Sequence, residues 1–358
     1  MLDRLKLIQK ISLLAFDDGQ KRIQSILYAK EVWKMLSCDT LFLKKHSFWN
    51  DGLNDVYKIA DCSDQYSACS IDGSQIYPDR HSGHDYFLIN IGGIIIRYGY
   101  GIENAVSFIQ EPYVFSLFTD SLVSIDWVNA QRYGYELDEL VRQGINLKSN
   151  SLTKEILLLL DGSLIFWHLD GFKDKNYYIT LYNDFLLKAY DNNLCVVAYI
   201  SKPKSKDLIG LANLFVEHNA LPNSICNGIN DVHVLQSFLP PGYRTTIFFS
   251  SSLISSMYEH GQSPCFFYCN VYSEIVRVEL PLWLANKPER VATITSLIFD
   301  QVKKGNGYPL VIAEAHHHAV IKKNDRDFFY YALEQNSNNP FSIEKLSQKQ
   351  QKKNNKFF

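Results

Sequence analysis

Two copies of one phrase, Ile71-Asp72-Gly73-Ser74-Gln75-Ile76 and Leu160-Asp161-Gly162-Ser163-Leu164-Ile165, each follow an apolar run and constrain this chain more than any other feature. Each is expected to put a carboxylate where a buried strand gives way to a tight turn, a place where metal-dependent phosphoryl-transfer enzymes often hold their cations. Taken singly, either copy is better read as an Asp-Gly hairpin turn, the strongest short signal for a turn between strands. A late segment, Tyr308-Pro309-Leu310-Val311-Ile312-Ala313-Glu314-Ala315-His316-His317-His318, adds a carboxylate and imidazoles. Two strand-end aspartates with a distant histidine are harder to dismiss as turns alone.

The chain has 358 residues, 46% hydrophobic and 14% aromatic, enough to bury a large core in one elaborated domain or two small ones. With 36 basic and 38 acidic side chains the formal charge is -2, so no global positive field draws nucleic acid, and any such contact needs a local basic groove. The seven cysteines are scattered, without a Cys-x-x-Cys pair, and the start of the chain reads as no secretory leader, so a reduced, cytoplasmic setting is expected. Cys265 and Cys269 flank Phe266, Phe267 and Tyr268 and read as positions of a strand rather than zinc ligands. Apolar runs such as Ile156 to Leu160 fall far short of the ~20 residues of a membrane span.

From Met1 to Lys45, Leu5, Ile8, Ile11 and Leu14, then Ile23, Ile26 and Leu27, recur at helical spacing, and Asp17-Asp18-Gly19 predicts a break between two helices. These suit the core or a second subunit. Runs around Ser70-Ile71-Asp72, Tyr86 to Ile91 and Gly93 to Tyr98, rich in β-branched and aromatic residues and bounded by glycines, predict strands. Helical spacing returns from about Asp120 to Gln143, carrying Arg132, Glu136 and Glu139, before the run Ile156 to Asp161, read as a strand covered on both faces. A helix at Tyr177 to Tyr190 then precedes a strand at Leu194 to Ile200, the grammar of an α/β core. Further strands are predicted at Thr245 to Ser250, Pro264 to Val271 and Ile275 to Leu280, and a helix at Pro288 to Lys304. The Asn-, Gln-, Lys- and Ser-rich stretch from Asn336 onward predicts a frayed tail. Its lysines at 345, 349, 352, 353 and 356 read as solvated charge.

An ordered set of segments resembles the NurA nucleases, which pair with HerA-type ring translocases in DNA end processing. It runs from IDGSQ at 71–75 through the Arg132 to Glu136 helix, LLLLDGSLI at 157–165 and VVAYISKPKSKDL at 196–208. It continues with DVHVLQSFLPPGYRT at 231–245, RVELP at 277–281 and YPLVIAEAHHHAVI at 308–321. The order and spacing of the segments, more than any one of them, carry the resemblance.

It implies an α/β fold with an RNase H-like mixed central sheet flanked by helices. Residues 1–60 would be a helical N-terminal extension that supports dimerisation, 61–335 the nuclease domain and 336–358 the tail. The implied activity is manganese-dependent digestion of DNA from ends, with single-strand endonuclease activity also attributed to the family. Magnesium is the alternative ion, and two ions are expected. The implied partners are DNA, a second copy in a homodimer, and a HerA-like hexameric ATPase. Carried over by position, the family's aspartates fall on Asp72 and Asp161, its helix glutamate on Glu136 with Glu139 one turn further along, and its Ala-His pair on Ala315-His316. The triple histidine departs from the family pattern. Were the segment a strand, alternation would put His318 on the same side as His316.

Oxygen ligands suit magnesium and manganese, and an added imidazole shifts the preference toward manganese. Asp72 is expected to anchor the metals, Asp161 and Glu136 to complete the carboxylate shell, and His316 to ligate or to act on the leaving group. Lys202, with Lys204 and Lys206 beside it, is the first candidate to grip phosphate, and Arg244 and Arg277 the second. Without the resemblance, solvated loop charge is the better reading of these lysines. Three other readings compete: a non-catalytic partner of a ring translocase, another metal-dependent phosphohydrolase, and a structural α/β protein.

Overall fold

A computed structural model describes residues 4–45, 52–78, 86–99, 105–116, 124–150, 155–221, 225, 228–250, 252–259 and 261–336. The expected tail beyond Asn336, and Cys226, lie outside the described residues. In chain order the strands are β1 (Val56–Lys58), β2 (Tyr66–Ile76), β3 (Tyr86–Tyr98), β4 (Val106–Ser116), β5 (Ile156–Asp161), β6 (Cys195–Ile200), β7 (Tyr243–Thr245), β8 (Phe248–Phe249), β9 (Pro264–Asn270) and β10 (Ile275–Pro281). The helices are α1 (Arg4–Cys38), α2 (Thr40–Lys45), α3 (Ile125–Ser149), α4 (Lys175–Asp191), α5 (Asp207–His218), α6 (Asp231–Leu235), α7 (Leu282–Ala285), α8 (Pro288–Lys304), α9 (Leu310–Ala319) and α10 (Lys323–Asn336). The chain divides into two compact units, a larger one of residues 61–198, 257–263 and 280–358 and a smaller one of residues 1–60, 199–256 and 264–279. The smaller unit thus takes two segments besides the expected 1–60 extension.

In the larger unit the strand order is β6-β5-β2-β3-β4. β2, β3 and β4 pair antiparallel in succession, and β5 joins β2 in parallel, giving the mixed central sheet flanked by helices that the resemblance implies. Residues 156–160 of β5 are all buried, so both faces of that strand are covered, which is why its run is continuous rather than alternating. On β2, alternation puts Asp72 and Ser74 on one face and Gly73 on the other. Asp72 meets His316 of α9, whereas a Cβ on Gly73 would stand 2.6 Å from Glu136 Oε1 of α3. The two helices therefore cover opposite faces of β2.

Three local expectations are corrected here. β2 does not turn at Asp72-Gly73 but runs on to Ile76, because its antiparallel ladder with β3 continues after the parallel ladder with β5 ends at Ile71 and Leu160. β3 is one strand through Gly92-Gly93 rather than two. Gly92 lies opposite Asp72, and a Cβ there would come within 2.4 Å of the Ala319 amide nitrogen, so the glycine lets α9 cross close to the sheet. Gly92→Ala should lower stability by about 1–3 kcal/mol through this overlap with backbone, and an unchanged thermal melting point would contradict that.

The segment after Pro309, left unassigned by its sequence, is a helix. Val311, Ile312, Ala315 and Ala319 are buried at helical spacing, and this stripe overrides the strand preference of the β-branched pair. Finally, α1 runs unbroken through Asp17-Asp18-Gly19, where one glycine costs only about 1 kcal/mol. The break comes at Asp39, whose carboxylate accepts the Phe42 amide at 2.9 Å and caps α2.

The smaller unit has strand order β1-β7-β9-β10, with β8 paired to β9. Its core gathers Ala29, Val32, Trp33 and Leu36 of α1 with Leu208, Leu211 and Phe215 of α5. Cys265 and Cys269 are buried, unbridged positions of β9, consistent with their strand reading. Among the described residues no helix is long and apolar enough to cross a membrane.

Candidate metal centre

α3 starts at Ser124, whose hydroxyl accepts the Trp127 amide at 3.1 Å, and carries Arg132 and Glu136 one turn apart. Arg132 Nη1 donates to Glu136 Oε1 at 2.7 Å and to the Gly73 carbonyl at 2.9 Å, and stands 3.9 Å from Asp72 Oδ1. Glu136 is 5% exposed. Burial pushes its carboxyl up to about 7; Arg132 opposes the rise, and the charges of Asp72 and Asp161 add to it. Glu139 serves elsewhere, accepting from Arg142 Nε at 2.8 Å and from Gln143 Nε2 at 2.7 Å. The helix carboxylate beside Asp72 is Glu136.

The register sets the two aspartates side by side, since Ile71 pairs with Leu160 and each is followed by its Asp-Gly-Ser. Asp161 does end its strand, as the sequence predicts, and Gly162 follows at φ 114°, a backbone that side chains rarely adopt. Tyr308 donates its hydroxyl to Asp161 Oδ1 at 3.0 Å. Burial raises the Asp161 carboxyl, Tyr308 pulls it back, and Asp72 raises it again.

His316 Nδ1 lies 2.8 Å from Asp72 Oδ2. An ionised carboxylate only accepts, so Nδ1 is the donor of this pair and Nε2 is the ring nitrogen left for another partner. Both ends of α9 are tied down. Gln301 Oε1, fully buried, accepts the Val311 amide at 3.2 Å, while Ser74 Oγ and Asn90 Nδ2 donate to the Ala319 carbonyl at 2.5 and 2.8 Å. Because α9 is a helix, His318 does not share a side with His316. Its ring packs on Phe108 at 4.4 Å between centroids, and His317 is exposed.

Among the described residues no three histidine, cysteine or acidic side chains already converge as a metal site. Arg132 holds Glu136 instead, and bridges it toward Asp72. The donors nevertheless fit a divalent ion. Arg132 faces two carboxylates, Glu136 and Asp72, the buried Glu136 is driven toward its neutral form, and carboxylate oxygens with a single imidazole are a donor set for manganese or magnesium.

Of the expected phosphate contacts, Arg277 is corrected. It is 1% exposed in the smaller unit, with Nε on Glu279 Oε1 and Nη1 on Asp207 Oδ2, each at 2.7 Å, and its guanidinium lies 3.6 Å above the Phe266 ring. A cation so buried must keep its carboxylates, since losing one partner costs about 3–5 kcal/mol. Arg244, in the same unit, lies over the Tyr57 ring at 4.3 Å and donates to the Thr245 carbonyl at 2.9 Å. Lys202 is exposed at the end of β6. Sequence reasoning missed Tyr308, Asn90 and Gln301 as site residues. Asn90 and Gln301 lie in runs read only as a strand and a helix, Tyr308 alone lies in a segment read for chemistry, and no local spacing links a tyrosine to an aspartate 147 residues away.

A family model, the NurA domain, matches residues 66–321. No curated protein matches the chain. Among the solved structures similar to it are a NurA with manganese at 11% identity, covering 90% of this chain and 99% of that one with a TM-score of 0.43; a NurA at 12%, covering 92% and 99% with a TM-score of 0.43; and a NurA bound to dAMP and manganese at 11%, covering 95% and 98% with a TM-score of 0.44.

Proposed function

This chain belongs to the NurA family, and on that premise we propose that it is a metal-dependent nuclease hydrolysing DNA phosphodiester bonds at Asp72, Glu136, Asp161 and His316. The observation that supports this most is the buried Glu136 carboxyl, raised to about 7 beside two other carboxylates. A manganese pair, with magnesium as the substitute, would supply an activated water, neutralise charge on phosphorus and stabilise the leaving oxygen. Asp72, Asp161 and Glu136 would hold the ions, and Tyr308 keeps Asp161 oriented through its hydroxyl. His316, oriented through Nδ1 by Asp72, turns Nε2 to ligation when the ring is neutral or to giving a proton to the leaving group when it is charged. Arg132 balances Glu136 and Asp72 when they hold no ion. Lys202 and Arg244 are the cations we assign to phosphate, as positioning contacts without base information. The proposed activity is digestion from ends, with incision of single strands. The purified chain in manganese should cut end-labelled DNA and leave a nitrophenyl phosphate ester intact; cleavage of the ester alone would point to a small-substrate phosphohydrolase.

We further assign a homodimer that works beside a HerA-like hexameric ATPase in the cytoplasm. The N-terminal half of α1 supports the dimer, because Leu5, Ile8 and Ile11 are 76%, 59% and 55% exposed along one helix. Removing residues 1–19 should convert a dimer to a monomer in light scattering, and an unchanged mass would refute that interface.

A further inference from the structure

The smaller unit holds a cleft of about 490 Å³, lined by Arg22 of α1, the loop of Lys202 and Lys204 after β6, His233 of α6, and Tyr272 and Glu274 between β9 and β10. Its charge is one-sided. Arg22, Lys202 and Lys204 are exposed cations, and Glu274 is the one acid among the described lining residues. That carboxylate is already engaged, accepting the Ser201 hydroxyl at 2.8 Å and the Lys202 amide at 2.9 Å, so it shapes the lysine loop. His233 adds no negative charge: Arg22 Nη2 lies 3.1 Å from its Nε2, and burial lowers its pKa, with Arg22 and Lys30 adding to the effect. Tyr272 is 70% exposed at the same cleft.

Three cations against one engaged carboxylate attract a polyanion, and an exposed ring offers a base a stacking face. The volume suits a nucleotide or two and not the width of a duplex. We infer that this cleft binds a single nucleic-acid strand, with phosphates on Arg22, Lys202 and Lys204 and a base on Tyr272. It is built from smaller-unit residues alone, and of the cations assigned to phosphate above only Lys202 belongs to it. The choice of nucleic acid over other polyanions rests on the nuclease reading.

The test is fluorescence anisotropy of a short labelled oligothymidylate with the full chain in EDTA. Arg22→Gln combined with Lys204→Gln should weaken binding about tenfold and reduce the slope of log affinity against log salt by about 1.4, at ~0.7 per phosphate contact on a single strand. Tyr272→Ala should weaken binding about tenfold with the salt slope unchanged. Duplex DNA of the same length should bind less tightly than the strand. Melting curves matching the wild type establish that the variants fold. Unchanged affinity in the variants overturns the inference; so does equal binding of duplex, and so does displacement by millimolar inorganic phosphate, which marks a simple anion pocket. EDTA silences metal chemistry, so the two readings fail separately: intact DNA in manganese with variant-sensitive binding sinks the nuclease, and cleavage with variant-insensitive binding sinks the cleft.

Discussion

Asp161→Asn is expected to bind manganese at least about tenfold more weakly than the wild-type chain and to cut DNA roughly a thousandfold more slowly. Asp161 ends β5 next to the strand that carries Asp72, and burial, with Asp72 adding to it, raises its carboxyl against the opposing pull of Tyr308 and His316. Replacing it by an amide leaves shape and hydrogen-bond capacity nearly intact but removes an anionic oxygen from the proposed ligand set. If metal binding supplies several kcal/mol of transition-state stabilisation, at ~1.4 kcal/mol for each factor of ten, a thousandfold loss follows. Tyr308→Phe deletes only the hydroxyl that orients Asp161 and should cost about tenfold in the same assays. An Asp161→Asn protein that binds manganese as tightly as the wild type would remove this residue from the site.

Glu136→Gln should stabilise the metal-free protein above pH ~7 by about 3 kcal/mol and leave it unchanged below about 4.5. The sign follows from where the proton sits. The carboxyl ionises at 4.5 in the unfolded chain and at about 7 in the folded one, so between those values the folded state keeps a proton that the unfolded state has released. The stability this proton provides is complete below about 4.5, falls as pH rises and is gone above about 7. Glutamine is neutral throughout and escapes the loss. Manganese, which binds the ionised form, should stabilise the wild type at alkaline pH more than the variant. Denaturant unfolding of both proteins across this range reads the effect, and parallel curves would mean that Glu136 carries no such burden.

Much of the fold was legible because its signals are local. The unbroken apolar run of residues 156–160 specifies a strand covered on both faces, and the helical spacing from Pro288 to Lys304 matches the bounds of α8. Asp161 at its strand end was also readable. What failed depended on partners distant in sequence. Asp72-Gly73 looks like a turn to any local reading, and only pairing with β3 keeps it in a strand. Gly92-Gly93 looks like a terminator until α9 is seen to cross there. The resemblance points to His316, but the element that carries it is not decided locally, because Val311 and Ile312 favour strands whereas burial of Ala315 and Ala319 makes it a helix. Arg277 offered no local sign of its burial between Glu279 and Asp207. In each case a tertiary contact outweighed a local preference.

The most direct test of the metal centre incubates the purified chain with end-labelled single- and double-stranded DNA in manganese, in magnesium and in EDTA, beside Asp72→Asn. Cleavage that needs the divalent ion and disappears in Asp72→Asn is the predicted result. Metal-dependent cleavage that survives intact in Asp72→Asn would contradict the account at its centre.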